Sequence, residues 1–123
     1  LSTINLTETV FEETVLQKGI VFVDFWAEWC GPCRMFGPVF EAASESNPDI
    51  VFGKVDTEAE QGIAAAAGIA SIPTLMAFRD GVLLFRESGA LPAEAFAQLV
   101  QAIRDVDMEE VMRDIANEES GEK

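Results

Sequence analysis

The run Ile20–Trp26, "IVFVDFW", constrains the fold more than any other stretch of the chain. A half-buried strand alternates apolar and polar residues, and this one does not: apart from Asp24 every position is β-branched or aromatic. A run of this kind predicts a strand covered on both faces. Covering both faces takes a layer of helices above the sheet and another below it, which commits the chain to an α/β architecture.

The remaining elements fit that frame. "TINLT" (Thr3–Thr7) alternates like a short edge strand, and Thr7 is placed to cap a helix running to about Lys18, with Gly19 ending it. After Trp26 a second helix opens near Cys30 and runs to about Ser46, kinked at Pro38. Ile50–Asp56 is a further central strand, and Glu58–Ala67 is an Ala-rich helix stopped by Gly68. "PTLMAF" and "VLLFRE" are strands joined by the turn Arg79-Asp80-Gly81, hence antiparallel. Pro92, in a helix first turn, starts "PAEAFAQLVQAIR", with Phe96, Leu99, Val100 and Ile103 on one face. Strands separated by helices are expected to run parallel, and the terminal hairpin to make the sheet mixed. The fold class is therefore α/β, a central mixed sheet flanked by helices on both faces. The helical phase breaks at Asp105–Asp107 and restarts with Met108, Val111, Met112 and Ile115, Asp107 being a cap. The chain thus divides into a domain over residues 1–106 and an acidic helical extension over 107–123, whose end, "NEESGEK", reads as disordered.

Charge narrows the function. The net charge is −14, and both parts share it: residues 1–106 carry 15 acids against 6 bases, and residues 107–123 carry 7 against 2. Neither nucleic acid nor an anionic lipid surface finds a cationic footprint here. The uncharged run Gln61–Phe78 has the length of a membrane span, but Gly62, Gly68, Ser71, Pro73 and Thr74 interrupt it. It reads as a helix, a turn and a buried strand. No secretory signal is visible.

Both cysteines fall in "WCGPC", directly after the central strand and at the start of a helix. There the unpaired N–H groups and the helix dipole favour an anion, so a thiolate at Cys30 is stabilised and nucleophilic near neutral pH. Gly31 allows close backbone approach, and Pro32 fits the first helical turn without losing a needed donor. Cys33 lies about one turn on, within reach of a small disulfide ring. A closed structural zinc site wants four Cys or His ligands, and the chain has two Cys and no His. A purely structural disulfide over so short a loop restrains the unfolded chain least. A reversible dithiol is the reading with a mechanism.

"VDFWAEWCGPC", followed by "KVD", "IPT" and a "GA" after the last strand, resembles the thioredoxin family in order and spacing over roughly residues 3–106. Arg34, where many members have lysine, the lack of tyrosine and the extension 107–123 depart from it. The resemblance implies a thioredoxin fold and roles for particular residues. Asp24, otherwise readable as a solvent-facing strand acid, would lie behind Cys33 and move its proton, its pKa raised by burial. Lys54 would be its basic neighbour. Pro73, by base rates an ordinary trans proline, would be cis and face the dithiol, with the Ile72 backbone pairing an extended substrate. Trp29, more exposed than Trp26, would wall one side of a substrate groove beside Gly31 and Pro32, and Gly89 and Ala90 the other. Cys30 would be the exposed nucleophile and Cys33 the resolving thiol.

The function so implied is protein-disulfide reduction with no bound cofactor, NADPH and FAD belonging to a partner thioredoxin reductase. The partners expected are that reductase and disulfide-containing proteins, with no nucleic acid and no membrane; the chain is expected to be a monomer in reducing cytosol. The alternative is a binding or tethering subunit of the same fold that docks through its acidic C-terminal helix. An oxidase or isomerase would favour histidine between the cysteines, where Pro32 stands.

Overall fold

The computed structural model describes residues 2–121. In chain order the elements are β1 (Ile4–Asn5), α1 (Phe11–Leu16), β2 (Ile20–Trp26), α2 (Gly31–Ser46), β3 (Val51–Asp56), α3 (Gln61–Ala66), β4 (Thr74–Arg79), β5 (Val82–Ser88), α4 (Ala93–Asp105) and α5 (Met108–Glu119). The five strands form one sheet in the order β1-β3-β2-β4-β5, so the apolar run that opened the argument is its central strand. Its alternate residues feed two cores. Phe22 meets Phe36 and Phe40 of α2, Phe52 of β3, and Phe96, Val100 and Ile103 of α4. Val21, Val23 and Phe25 face the other way, onto Val15 of α1 and Ile63 of α3.

The direction of β4 differs from the parallel pairing expected of strands separated by helices. β1, β2 and β3 are parallel, but β4 runs antiparallel to β2. The segment between β3 and β4 stays at the end of the sheet where β3 finishes instead of crossing back over it, so β4 starts where β3 stops: Trp26 is level with Asp56, and Phe25 with Thr74. β5 returns to this same end, its Ser88 paired with Thr74. The ends of β2, β3 and β5 and the start of β4 therefore converge on one edge of the sheet, which is where the cysteine motif sits.

Helix boundaries differ in detail. α1 is shorter than the expected span from Thr7, because Glu8 leaves its own first turn to accept the Gly62 N–H of α3 at 3.0 Å. α3 starts three residues late, since Asp56 Oδ1 accepts the N–H groups of Glu58 and Ala59 in a turn. Pro92 stands just before α4 as its cap. The β4–β5 connection closes on Asp80 and Gly81, both at positive φ (52° and 81°), as a two-residue hairpin turn requires. Directly before that turn, Arg79 Nη1 lies 3.0, 3.1 and 3.0 Å from the carbonyls of Ile103, Arg104 and Val106, holding the end of α4. α5 follows, with Asp107 Oδ1 accepting the Glu110 N–H at 3.2 Å. It continues through Asn117, Glu118 and Glu119, residues expected to be disordered, and buries none of its side chains. Of "NEESGEK", Glu122 and Lys123 lie outside the described residues. Among the described residues no helix is long and apolar enough to cross a membrane; the uncharged run from Gln61 to Phe78 is α3, a turn and most of β4.

Candidate functional site

Cys30 is the N-cap of α2, in extended backbone (φ −87°, ψ 115°), with Gly31 and Pro32 filling the first two helical positions. Proline fits there because that N–H has no partner within the helix. The next free donor, the N–H of Cys33, points at Cys30 Sγ from 3.2 Å. The two sulfurs are bonded to each other, with their Cα atoms 5.2 Å apart. On reduction the same donor and the helix dipole would act on a thiolate at Cys30. The expectation that Cys30 is the exposed member is not met in this oxidised form: Cys30 is 4% exposed and Cys33 5%. Cys30 is covered because Ala27, Trp26 and Ile72 pack around the pair, with the Ile72 carbonyl oxygen 3.7 Å from its sulfur. What distinguishes the two is the donor aimed at Cys30, not accessibility.

Asp24 is 1% exposed and neither carboxylate oxygen has a hydrogen-bond partner among the described residues. Burial raises its pKa from the ordinary 3.8 to about 7, and the charge of Lys54 opposes the rise. Lys54 sits level with Asp24 on the neighbouring strand and places its ammonium 5.0 Å from the centre of the Trp26 ring. Strand alternation puts Asp24 and Trp26 on one face of β2, the face that carries α2. A solvent-facing role for this acid is excluded by its burial.

The opposite rim of the cysteine pair is the loop before β4. The Ile72–Pro73 bond is cis and Pro73 is buried. The Gly89 N–H donates to the Pro73 carbonyl at 2.8 Å, and the Thr74 and Ser88 hydroxyls are 2.9 Å apart, so the chain after β5 is tied to this loop. Gly89 has φ +112° with open space where a side chain would stand. There the backbone conformation calls for glycine, and no neighbour crowds it. Ala90 follows, half-buried. On the other side Trp29 is 67% exposed, well above the half-buried Trp26, and shares a shallow depression with Thr57, Ala64, Ile69 and Ile72. Gly31 and Pro32 lie exposed between these walls.

The structure thus gathers Cys30, Cys33, Ile72 and Pro73 into one place, with Trp29, Gly89 and Ala90 at its edges and Asp24 with Lys54 in the sheet beside it. Two contributors were given no role in the site from sequence. Trp26, read only as a strand residue, packs directly on the cysteines; its two-residue spacing from Asp24 was the available signal. Arg34 donates to the Glu28 carbonyl at 2.7 Å and so braces the loop that carries Trp29, a contact no local pattern announces.

Comparison with known proteins agrees with this geometry. The thioredoxin family model matches residues 2–102. A Streptomyces coelicolor protein provisionally named thioredoxin 2 is 51% identical over 119 residues, covering 97% of this chain and 89% of its own. Thioredoxin 1 of Synechococcus elongatus is 44% identical over 94 residues, covering 75% of this chain and 88% of its own. The crystal structure of Malassezia sympodialis thioredoxin superposes with a TM-score of 0.73 at 35% identity, covering 81% of this chain and 90% of its own. These matches span most of the chain and include the whole cysteine motif. The chain belongs to the thioredoxin family and is a thiol–disulfide oxidoreductase whose redox centre is the Cys30–Cys33 pair, the family carrying no bound cofactor.

Proposed function

We propose that the chain works in the reducing direction, as a protein-disulfide reductase, and that residues 1–106 form the redox domain with 107–123 as an acidic extension. The Cys30 thiolate attacks a substrate disulfide: a bond forms between Cys30 Sγ and one substrate sulfur, the substrate S–S bond breaks, and the released thiolate takes a proton from water. Cys33 then gives its proton to the Asp24 carboxylate and attacks Cys30 Sγ. The bond to the substrate breaks, the second substrate sulfur leaves as a thiolate that takes a proton from water, and the Cys30–Cys33 disulfide remains, two electrons having passed to the substrate. Lys54 moderates the pKa of Asp24. The Ile72 backbone beside Pro73 pairs with the substrate chain, which runs between Trp29 with Gly31 and Pro32 on one side and Gly89 with Ala90 on the other.

The observation that carries this assignment is the Cys33 N–H aimed at Cys30 Sγ at the start of α2. Pro32 between the cysteines, in place of a cationic residue that would stabilise the thiolate further, favours reduction over oxidation. Return of the electrons falls to a thioredoxin reductase, which contributes NADPH and FAD, and the setting is reducing cytosol with the chain a monomer. NADPH-linked reduction of insulin, with a panel of thioredoxin reductases, tests the reading: turnover dependent on Cys30 is expected, and absence of turnover with every reductase would overturn it in favour of a tethering role for α5.

A further inference from the structure

A groove lies alongside the site and shares only Gly89 and Ala90 with the residues assigned above. It runs between the edge strand β5 and α4, about 490 Å³ in volume, with Leu75 and Phe85 as its floor and Leu91 and Leu99 as its walls. α4 leaves it open because Ala95 and Ala102, seven residues apart and so on one face of the helix, are too small to fill it. Its near end is Gly89 and Ala90, the same pair that borders the cysteine site.

We infer that this groove is a substrate subsite, taking an apolar side chain from the chain segment that flanks the disulfide being reduced. The inference rests on the reading of the site given above and extends it. A substrate strand paired with the Ile72 edge meets Gly89 next, since the Gly89 N–H is bonded to the Pro73 carbonyl. At Gly89 nothing stands where a side chain would be, so a backbone can pass over it. An extended chain advances about 3.3 Å per residue, so the segment reaches the groove within a few residues of its cysteine. The lining there is mainly apolar, with Glu87, Ser88 and Gln98 as its polar members, and the volume accepts a leucine or phenylalanine side chain. A main-chain edge that gives affinity and a side-chain pocket that gives selectivity is a recurring way of reading extended peptides.

The test uses peptides closed by one internal disulfide, of Ser/Gly background, with a single Leu stepped two, four and six residues outward from the cysteine on either side. The second-order rate constant of the pre-reduced full-length protein is read from tryptophan fluorescence, and the ratio of each Leu peptide to the all-Ser peptide is taken within each protein. A ratio of about 5–20 is expected at one or two adjacent positions, from partial burial of one leucine. Ala95→Glu should return that ratio to about 1. So should Ala102→Glu, which is exposed and keeps the test decisive if the first variant does not fold. A ratio near 1 at every position in the parent, or an unchanged ratio in the variants, would overturn the subsite. So would a leucine effect seen only after residues 107–123 are removed, which would assign the groove to the C-terminal helix of this chain. If no peptide reacts at all, the dithiol reading itself falls, a result distinct from reaction without preference.

Discussion

Cys30 and Cys33 are buried alike, so their chemistry must differ through the groups aimed at them. The donor directed at Cys30 Sγ, together with the helix start, is the ground for proposing Cys30 as the nucleophile. Alkylation of the reduced protein at neutral pH, followed by peptide mass, should label Cys30 first; Cys33→Ser should accumulate a mixed disulfide with substrate, and Cys30→Ser should form none. Faster labelling of Cys33 would reverse the assignment. Asp24 has a consequence for stability that can be signed. Its pKa rises from 3.8 in a free carboxyl to about 7 here. Between those values the folded protein holds a proton that the unfolded chain has released. This group's contribution is thus fully retained below about pH 4, falls as the pH rises to about 7, and is level above. Asp24→Asn should remove that slope and stabilise the protein at pH 8 by roughly 2–4 kcal/mol. The upper end is about three pKa units at 1.36 kcal/mol each, and the cost of burying an amide sets the lower. The same variant should slow the resolving step and take away its rise with pH through 7. Urea melts from pH 4 to 8 and single-turnover kinetics check the two halves independently. Asp24 was legible in the sequence because an acid stands out in an apolar strand. The near-equal burial of the sulfurs was not legible, since Ile72 lies more than forty residues from Cys30 and only the folded chain brings it there.

Helices α2 and α4 meet over the sheet through phenylalanines from four elements. Phe96 stands at the centre, with ring centroids 5.3 Å from both Phe22 and Phe36, 5.9 Å from Phe40 and 6.3 Å from Phe52. It is fully buried. Phe96→Ala should therefore cost about 3–5 kcal/mol, the range for an aromatic truncated in a packed core. A denaturation midpoint shifted at unchanged slope would measure it, and a loss below 1 kcal/mol would show that α4 is held by other contacts. Periodicity made this helix legible: Phe96, Val100 and Ile103 recur at helical spacing. It did not reveal the direction of β4, because whether the chain between β3 and β4 crosses back over the sheet or stays at one end is settled by packing between distant segments, which local periodicity does not encode. Nor did it reveal that Glu8 caps the neighbouring helix instead of its own, since a partner fifty-four residues away competes with the local turn.

The chain concentrates its chemistry at one end of the sheet and attaches its extra helix at another place, the end of α4. Removal of residues 107–123 should leave insulin reduction within about twofold of the parent and should leave the cooperative melt in place, because no side chain of α5 is fully buried and only Met108, Val111 and Ile115 are half-buried. A loss of activity with the melt preserved would mean that α5 belongs to the surface that meets the substrate or the reductase. The resemblance read over residues 3–106 agrees closely with the extent of the family match, 2–102, whereas the extension showed only a cap and a stripe, enough to expect a helix but not its length. Arg79 decides what such a truncation does. Its guanidinium grips the carbonyls of Ile103, Arg104 and Val106, so the last turn of α4 is finished from the β-hairpin rather than by whatever comes after it. On the proposed division at 106/107, the Val106–Asp107 junction is for that reason a point of attachment from which a fluorescent tag, a surface anchor or a second catalytic module would start at a fixed position and direction.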